Sequence, residues 1–328
     1  MATIKDVAKA AGVSTATVSY VLNGTKRIGE EVEQRVRQAA ETLQYRPNAA
    51  AQNLRRNQTH IIGYELPIPL PGDMSLFMQR FTYDLTLAAE HHGYHLITFA
   101  PSDTAKPLDI YRQLILSSRI DGFVISNTNW HDKRLKFLME AEFPFVSFGR
   151  SDLELEFPFV DVDGYEGIRQ VMEHLLELGH QKIAFIGWPE GSYSGDTRYN
   201  AYRHFVPEVP RVRRVENDIE QGYHAARSLL ENPPTAIVCV SDVLAIGAMR
   251  YLTEAHYRVG VDIAVTGFDD TPLAQYITPP LTSVQQPIQQ VVQNLITMLV
   301  SVMEDAPPPM ERHLLLKPNL VVRQSTVP

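Results

Sequence analysis

The chain has 328 residues, 44% hydrophobic and 21% charged, with a formal net charge of −8, which is enough for two or three folding units with real cores. Its apolar runs fall well short of the roughly 18 residues of a membrane span, and residues 1–20 lack a signal-peptide core. The single cysteine, Cys239 in "AIVCV", excludes an internal disulfide and reads as a buried, inert thiol. These features predict a cytoplasmic protein with no membrane association. Charge is unevenly divided: residues 1–60 hold nine Lys and Arg against five Asp and Glu, and the remainder holds 21 against 33. A basic head on an acidic body suits a head that meets a polyanion, although an ordinary solvated surface can carry the same balance.

The head begins with "TIKDVAKAAGVSTATVSYVLNG". Thr3 can cap a first helix with Asp6 three residues on, and Ile4, Val7 and Ala8 then share one face. Gly12 suits the left-handed turn that ends that helix. Ser14 can cap a second helix whose inner face is Val18, Val21 and Leu22. "GEEVEQRVRQAAETLQY" supplies a third, with Val32, Val36, Ala39 and Leu43 on one stripe and Glu30, Glu31 and Glu33 favouring the dipole at its start. Three short helices with a glycine turn predict a helix-turn-helix bundle, whose second helix enters a DNA major groove. Thr15, Ala16, Thr17, Ser19 and Tyr20 point outward. Their small size permits close approach, and their hydroxyls and methyls can meet base edges and phosphates.

"YRPNAAAQNLRRNQT" follows. Pro47 can open a helix of about two turns, too short to be stable alone in water. By composition the segment reads as an interdomain linker. Leu54 beside Arg55 and Arg56 is also what a minor-groove wedge would use. Together, the opening motif and "YRPNAAAQNL" closely resemble the head of the lactose-repressor (LacI) family of bacterial transcription regulators. The resemblance implies that Thr15, Ala16 and Tyr20 read bases, and that Ser14, Thr17, Ser19 and Asn23 hold the phosphate backbone. It also implies that a hinge helix containing Asn48, Ala51 and Leu54 docks in the minor groove. Gln52 stands where many members have arginine, which weakens the expectation of hinge phosphate contacts.

From His60 apolar runs alternate with amphipathic segments. "HIIGYEL", "YHLITFA", "DGFVIS" and "FPFVSFG" read as strands, separated by helices over 75–92, 107–118 and 132–142. Near residue 160 the pattern restarts, with strands "QKIAFIGW", "TAIVCVSD" and "DIAVTGFDD" and helices near 164–178, 198–206, 219–231 and 243–255. Such alternation predicts parallel sheets with crossover helices, in two similar lobes. The predicted organisation is a helix-turn-helix domain over 1–46, a hinge and linker over 47–59, and an effector-binding and dimerisation domain over 60–328. Its first lobe takes about 60–160 plus 286–312, and its second about 161–285 plus 313–325. The fold class is thus an all-α head plus an α/β body of two parallel-sheet lobes, which resembles the periplasmic-sugar-binding-protein fold of LacI-family regulators.

Ligands of parallel α/β sheets bind at the carboxyl ends of strands. Those ends carry "FGRSD", "GWPEGSYSGDTR", "SD" and "GFDD", a mixture of acids, arginines and aromatic faces that suits a polyhydroxylated ligand. The candidate effector residues are Arg150, Trp188, Arg198, Asp242, Phe268 and Asp269. The family resemblance marks Arg198, leading "RYNAY", as the clamp on effector hydroxyls, with Asp242 and Asp269 as further ligand contacts. Ala201 replaces a common glycine in that motif. Trp130 could be either rim packing or a sugar platform.

The sequence has no G-x-G-x-x-G, P-loop or H-E-x-x-H, and "GSYSG" is not a nucleophile elbow. It predicts neither enzyme, cofactor nor metal site; "DVD" at 161–163 and "GFDD" read as hinge and ligand-bonding segments ahead of a shared cation site. The expected partners are pseudopalindromic double-stranded operator DNA, a small sugar-like effector and a second copy of the chain. No heptad repeat follows "LKPNLVVRQSTVP", which favours a homodimer over a coiled-coil tetramer.

Overall fold

The computed structural model describes residues 2–23, 28–45, 58–67, 76–100, 107–151, 156–206, 210–307 and 311–327. The chain divides into two compact units, residues 1–59 and 60–328.

In the first unit, α1 (Ile4–Ala11), α2 (Thr15–Asn23) and α3 (Glu30–Thr42) enclose a small core. Thr3 donates to Asp6 Oδ2 from its backbone N–H and from its hydroxyl, each at 2.8 Å, which closes the capping box and lowers the Asp6 pKa. Gly12 takes φ 65°, a value that favours glycine. Val7, Ala8, Ala11, Val18, Val21, Val36 and Ala40 are buried together. Leu43, expected on the inner stripe of α3, is exposed. The helix ends at Thr42, Gln44 turns the chain with φ 47°, and Tyr45 packs on the core instead.

The second unit holds two six-stranded sheets. In chain order its elements are β1 (Ile61–Glu65), α4 (Leu76–His91), β2 (His95–Phe99), α5 (Asp109–Leu116), β3 (Gly122–Ile125), α6 (Lys133–Glu140), β4 (Phe145–Phe148) and β5 (Phe159–Val162). There follow α7 (Gly164–Glu177), β6 (Ile183–Gly187), α8 (Tyr193–Phe205), β7 (Arg211–Arg214), α9 (Ile219–Leu229), β8 (Ala236–Cys239), α10 (Asp242–Glu254) and β9 (Ala264–Asp269). A short 3-10 turn (Pro272–Gln275) leads to β10 (Thr282–Gln285), α11 (Ile288–Met303), β11 (His313–Leu316) and β12 (Asn319–Val321). The first sheet is ordered β11-β5-β4-β3-β1-β2 and is parallel throughout; the second is β12-β10-β9-β8-β6-β7, parallel except for β12. Strands such as Ala236–Cys239 are buried along their whole length, as expected of a sheet with helices on both faces.

α7, α8, α9 and α10 pack on the second sheet, while α11 returns to the first, where Val291, Leu295 and Leu299 join Ile62 and Val146 in one core. The lobe boundaries differ from the sequence reading at two places. Residues 161–162 belong to β5, and 313–316 form β11, which pairs with β5 in the first sheet rather than joining the second. The chain therefore crosses between lobes three times, near Asp163, Gln286 and Lys317. β7, whose sequence "RVRR" carries no apolar run, is an edge strand; Arg213 Nε donates to Ser228 Oγ at 2.7 Å, tying it to α9.

α9 and α10 approach backbone to backbone. A Cβ at Gly247 would stand 2.0 Å from the Ile219 carbonyl oxygen, and one at Gly222 would stand 2.4 Å from that of Leu244. Only glycine allows this contact, which seats α10 with Ser241 at its start capping Leu244 and bonding Asn217.

Candidate functional site

Two places gather the residues singled out by sequence. The first is α2. Ser14 Oγ accepts the Thr17 N–H at 3.1 Å and lies 2.9 Å from the Thr17 hydroxyl. A hydroxyl has one proton and two lone pairs, so capping leaves it able to meet a phosphate. Val18 and Val21 anchor the helix in the core, which turns Thr15, Ala16 and Tyr20 outward; Thr17 and Ser19 are half-buried. Asn23 ends the helix. Asn48, Ala51 and Leu54 lie outside the described residues.

The second place is a cavity of about 460 Å³ between the lobes of the second unit, within the ~300–1,000 Å³ range of small-molecule sites. Phe148 and Asp161 line it from the first lobe, Trp188, Arg198 and Asp269 from the second, and Gln286 from a crossing segment. Phe148, Asp161, Trp188 and Asp269 lie at the carboxyl ends of β4, β5, β6 and β9, and Arg198 is carried by α8, as ligand sites of parallel sheets are built.

Arg198 is at the centre, 6% exposed. Its Nη1 donates to the Val240 carbonyl at 2.7 Å, and its guanidinium lies 3.5 Å from the Phe268 ring centroid and 5.1 Å from that of Trp188. Burial pulls its pKa down, and the charges of Asp269, Asp161 and Asp242 pull it back. Among the described residues, Arg198 Nε and Trp188 Nε1 are buried donors with no protein partner. A buried unmade hydrogen bond costs about 1–3 kcal/mol, so two of them at one cavity suit a site built to meet acceptor oxygens.

Asp269 ends β9 with φ 114°, a conformation that L-residues rarely adopt and that costs of order 1–3 kcal/mol. Gln286 Nε2 donates to its Oδ1 at 2.6 Å. Burial lifts its pKa, opposed by Arg198. Asp161 accepts Arg150 Nε at 2.8 Å and the Val162 N–H at 2.8 Å, and burial raises its pKa as well.

Three of the six candidate effector residues thus line the cavity: Trp188, Arg198 and Asp269. The other three stand behind it. Asp242, expected to bond the ligand, is 1% exposed; its carboxylate accepts the Thr271 N–H at 2.7 Å, the Thr271 hydroxyl at 3.0 Å and the Ser283 hydroxyl at 2.5 Å. It therefore fixes the loop that presents Asp269, and burial together with the Asp269 charge raises its pKa. Phe268 is fully buried beneath Arg198. Arg150 pairs with Asp161 and leans on the Tyr193 ring at 5.1 Å. Sequence reasoning placed Asp161 in a hinge segment and gave no role to Phe148 or Gln286. The signal available was position, since Asp161 and Phe148 both sit at strand ends. Among the described residues, no group of three or more His, Cys, Asp or Glu side chains could hold a metal ion, and no helix is long and apolar enough to cross a membrane.

Comparison with known proteins finds matches for the head and for the body. Residues 3–48 match the family model described as bacterial regulatory proteins, lacI family, and residues 172–326 match that of a periplasmic binding protein-like domain. The HTH-type transcriptional regulator AglR of Rhizobium meliloti is 30% identical, over 99% of this chain and 94% of its own length. The ribose operon repressor of Escherichia coli (strain K12) is 29% identical, over 99% of this chain and all of its own length. Among solved structures, the lac repressor dimer bound to operator and the anti-inducer ONPF superposes with a TM-score of 0.86 at 26% identity, covering 100% of this chain and 99% of that one. A lacI-family regulatory protein from Chloroflexus aggregans is 38% identical, with a TM-score of 0.75 over 81% of this chain and 98% of that one. With a head and a two-lobed body that both match along their length, the chain belongs to the lacI family of bacterial regulatory proteins, DNA-binding transcription regulators with a ligand-binding effector domain.

Proposed function

We propose that this regulator acts as a cytoplasmic homodimeric repressor of carbohydrate-utilisation genes. In this reading it binds a pseudopalindromic operator through α2 and is controlled by a small sugar held in the cavity between the lobes. The observation that carries the choice of ligand is the cavity itself: Arg198, with an unpartnered Nε, is flanked by the carboxylates of Asp161 and Asp269 and faces the Trp188 indole. Carboxylates accept pairs of hydroxyls, guanidinium donates a planar fork, and an indole face covers a C–H surface. Proteins similar to this chain include a ribose operon repressor and the regulator CelR solved with cellobiose, and both fit a polyol. The two carboxylates that flank Arg198 are already engaged, Asp161 by Arg150 and Asp269 by Gln286, which supports binding rather than turnover.

Pairing of two copies would present α2 to each half-site, since a two-fold axis repeats the same surface. Tyr83 and Leu87 on α4 and Ile97 on the neighbouring β2 are exposed apolar residues suited to that contact. The deciding experiment is a thermal-shift screen of the full chain against D-ribose, other monosaccharides, cellobiose and purine bases. A ligand at about 100 times its Kd adds ~2.7 kcal/mol of stability. A response confined to purines would overturn the sugar assignment.

A further inference from the structure

The first residues of α8 do two things at once. Arg198 stands five positions after Tyr193, about one and a half turns along one helix. Tyr193 is 7% exposed and lies between two side chains of the first lobe, with the Trp130 ring centroid 4.5 Å away and the Arg150 guanidinium 5.1 Å away. Trp130 also donates its backbone N–H to the Gly191 carbonyl at 3.1 Å and its indole N–H to Asp196 Oδ2 at 3.0 Å. Beside it, Asn129 pairs antiparallel with Ser192, the residue that caps α8. The first-lobe side of this seat is itself fixed, because Ser151 Oγ donates to the Asn129 carbonyl at 2.6 Å.

From the seat a bonded path runs to the cavity. Asp196 Oδ1 accepts Arg214 Nη1 at 2.9 Å, and the same nitrogen donates to the Trp188 carbonyl at 3.1 Å. A Cβ on Gly195 would stand 3.1 Å from the Trp188 indole, so that ring rests directly on the first turn of α8. Among the described residues, Trp188 and Arg198 are the cavity residues whose buried side-chain donors lack a partner. Both are thereby placed by a helix start that the first lobe holds through Trp130.

We propose that Trp130 is a positioning residue: its seat on Tyr193 and Asp196 holds the start of α8 where Trp188 and Arg198 frame the cavity. A helix moves as a rigid piece, so a shift at Tyr193 is carried to Arg198, and misplacing a binding group by about 1 Å can cost a large share of its contribution. Trp130 is 40% exposed, so it gives less to the core than a buried ring, and both of its hydrogen bonds go to the segment that starts α8. The regulatory meaning rests on reading the cavity as the effector site; the positioning itself does not.

The chain has two tryptophans, Trp130 and Trp188, so any replacement of Trp130 leaves Trp188 as the sole indole reporter of the cavity. The test compares full-length Trp130→Phe, which keeps a ring against Tyr193, with Trp130→Ala, which keeps none, by emission excited at a wavelength that spares tyrosine and by acrylamide quenching, without ligand. The expected result is a red-shifted Trp188 emission and quenching raised at least about twofold in the alanine variant, as local opening admits solvent, with far-UV circular dichroism unchanged. Tyr193→Leu in the Trp130→Phe background should give the same shift, and it stands in for Trp130→Ala if that variant does not fold. Equal emission and quenching in folded Phe and Ala variants would overturn the proposal. Because no ligand enters the measurement, a failed sugar assignment and a failed positioning role give separate results.

Discussion

Thr15, Ala16 and Tyr20 stand at the surface of a helix anchored by Val18 and Val21, whereas Arg198 is buried among carboxylates, aromatic rings and a backbone carbonyl. The contrast fits the two partners proposed for these places, DNA for α2 and a small ligand for the cavity. A major groove brings its own donors, acceptors and charge to a surface and needs from the protein only small groups at the right spacing. A small ligand must be enclosed, so each group that touches it needs others to hold it, as Asp242 holds the loop of Asp269 and Arg150 holds Asp161. Changes at the cavity should therefore be large and local, in ligand binding or in stability, while changes on α2 should be milder and spread over partner and fold.

The largest effect is expected from Arg198→Ala. Removing one member of a buried, hydrogen-bonded charge cluster costs about 2–5 kcal/mol, so effector affinity should fall at least about 30-fold while operator binding in a mobility-shift titration stays within a few-fold of the native value. An unchanged effector response would break the contrast at its stronger end. Next comes Asp269→Asn. Burial holds the Asp269 pKa above its ordinary value, so the folded chain keeps a proton that the unfolded chain has already released. That contribution is fully present below the unfolded pKa of about 3.9 and is lost as pH rises through the folded pKa, about 6. The amide should thus raise Tm at pH 7.5 by about 2 °C or more, the shift expected per kcal/mol in a protein of this size, and change it little near pH 4. A lower Tm at pH 7.5 would mean that the carboxylate is fully compensated there.

Ser14→Ala is the smallest of the three. It removes the bond to the Thr17 N–H, a cap worth ~1 kcal/mol, and a group placed to meet phosphate. Specific and random duplexes should lose affinity by the same several-fold factor, read by titration at matched salt; loss on the specific duplex alone would make Ser14 a base reader. In the segment proposed as a hinge, Leu54→Ala is expected to weaken specific binding more than non-specific binding, and equal losses would remove the proposed wedge role.

The head was legible because its signals are local: a capping box, a glycine at the turn and a three-to-four-residue apolar spacing each act within a few residues. Seven strands of the body, among them Ile183–Gly187 and Ala236–Cys239, were legible for the same reason, whereas Phe159–Val162, also apolar and buried, was not read as a strand. "RVRR" was missed as a strand because an edge position supplies hydrogen bonds without demanding apolar side chains. The cavity was half legible. Strand ends pointed to Trp188, Arg198 and Asp269, but nothing in one sequence separates a carboxylate that faces ligand from one that faces Thr271 and Ser283, as Asp242 does. That difference depends on which loop folds over which strand end, and β10 begins 40 residues after Asp242 in the chain.

The three crossings near Asp163, Gln286 and Lys317 also limit what the body can do. Three short tethers side by side behave like the knuckles of a door: they resist sliding and separation but permit swing and twist. One of those knuckles, Gln286, grips Asp269 directly, so whatever occupies the space beside Asp269 presses on the pivot and not only on the panels. The pivot and the pocket are then parts of one lever, and the stroke available to the regulator is angular.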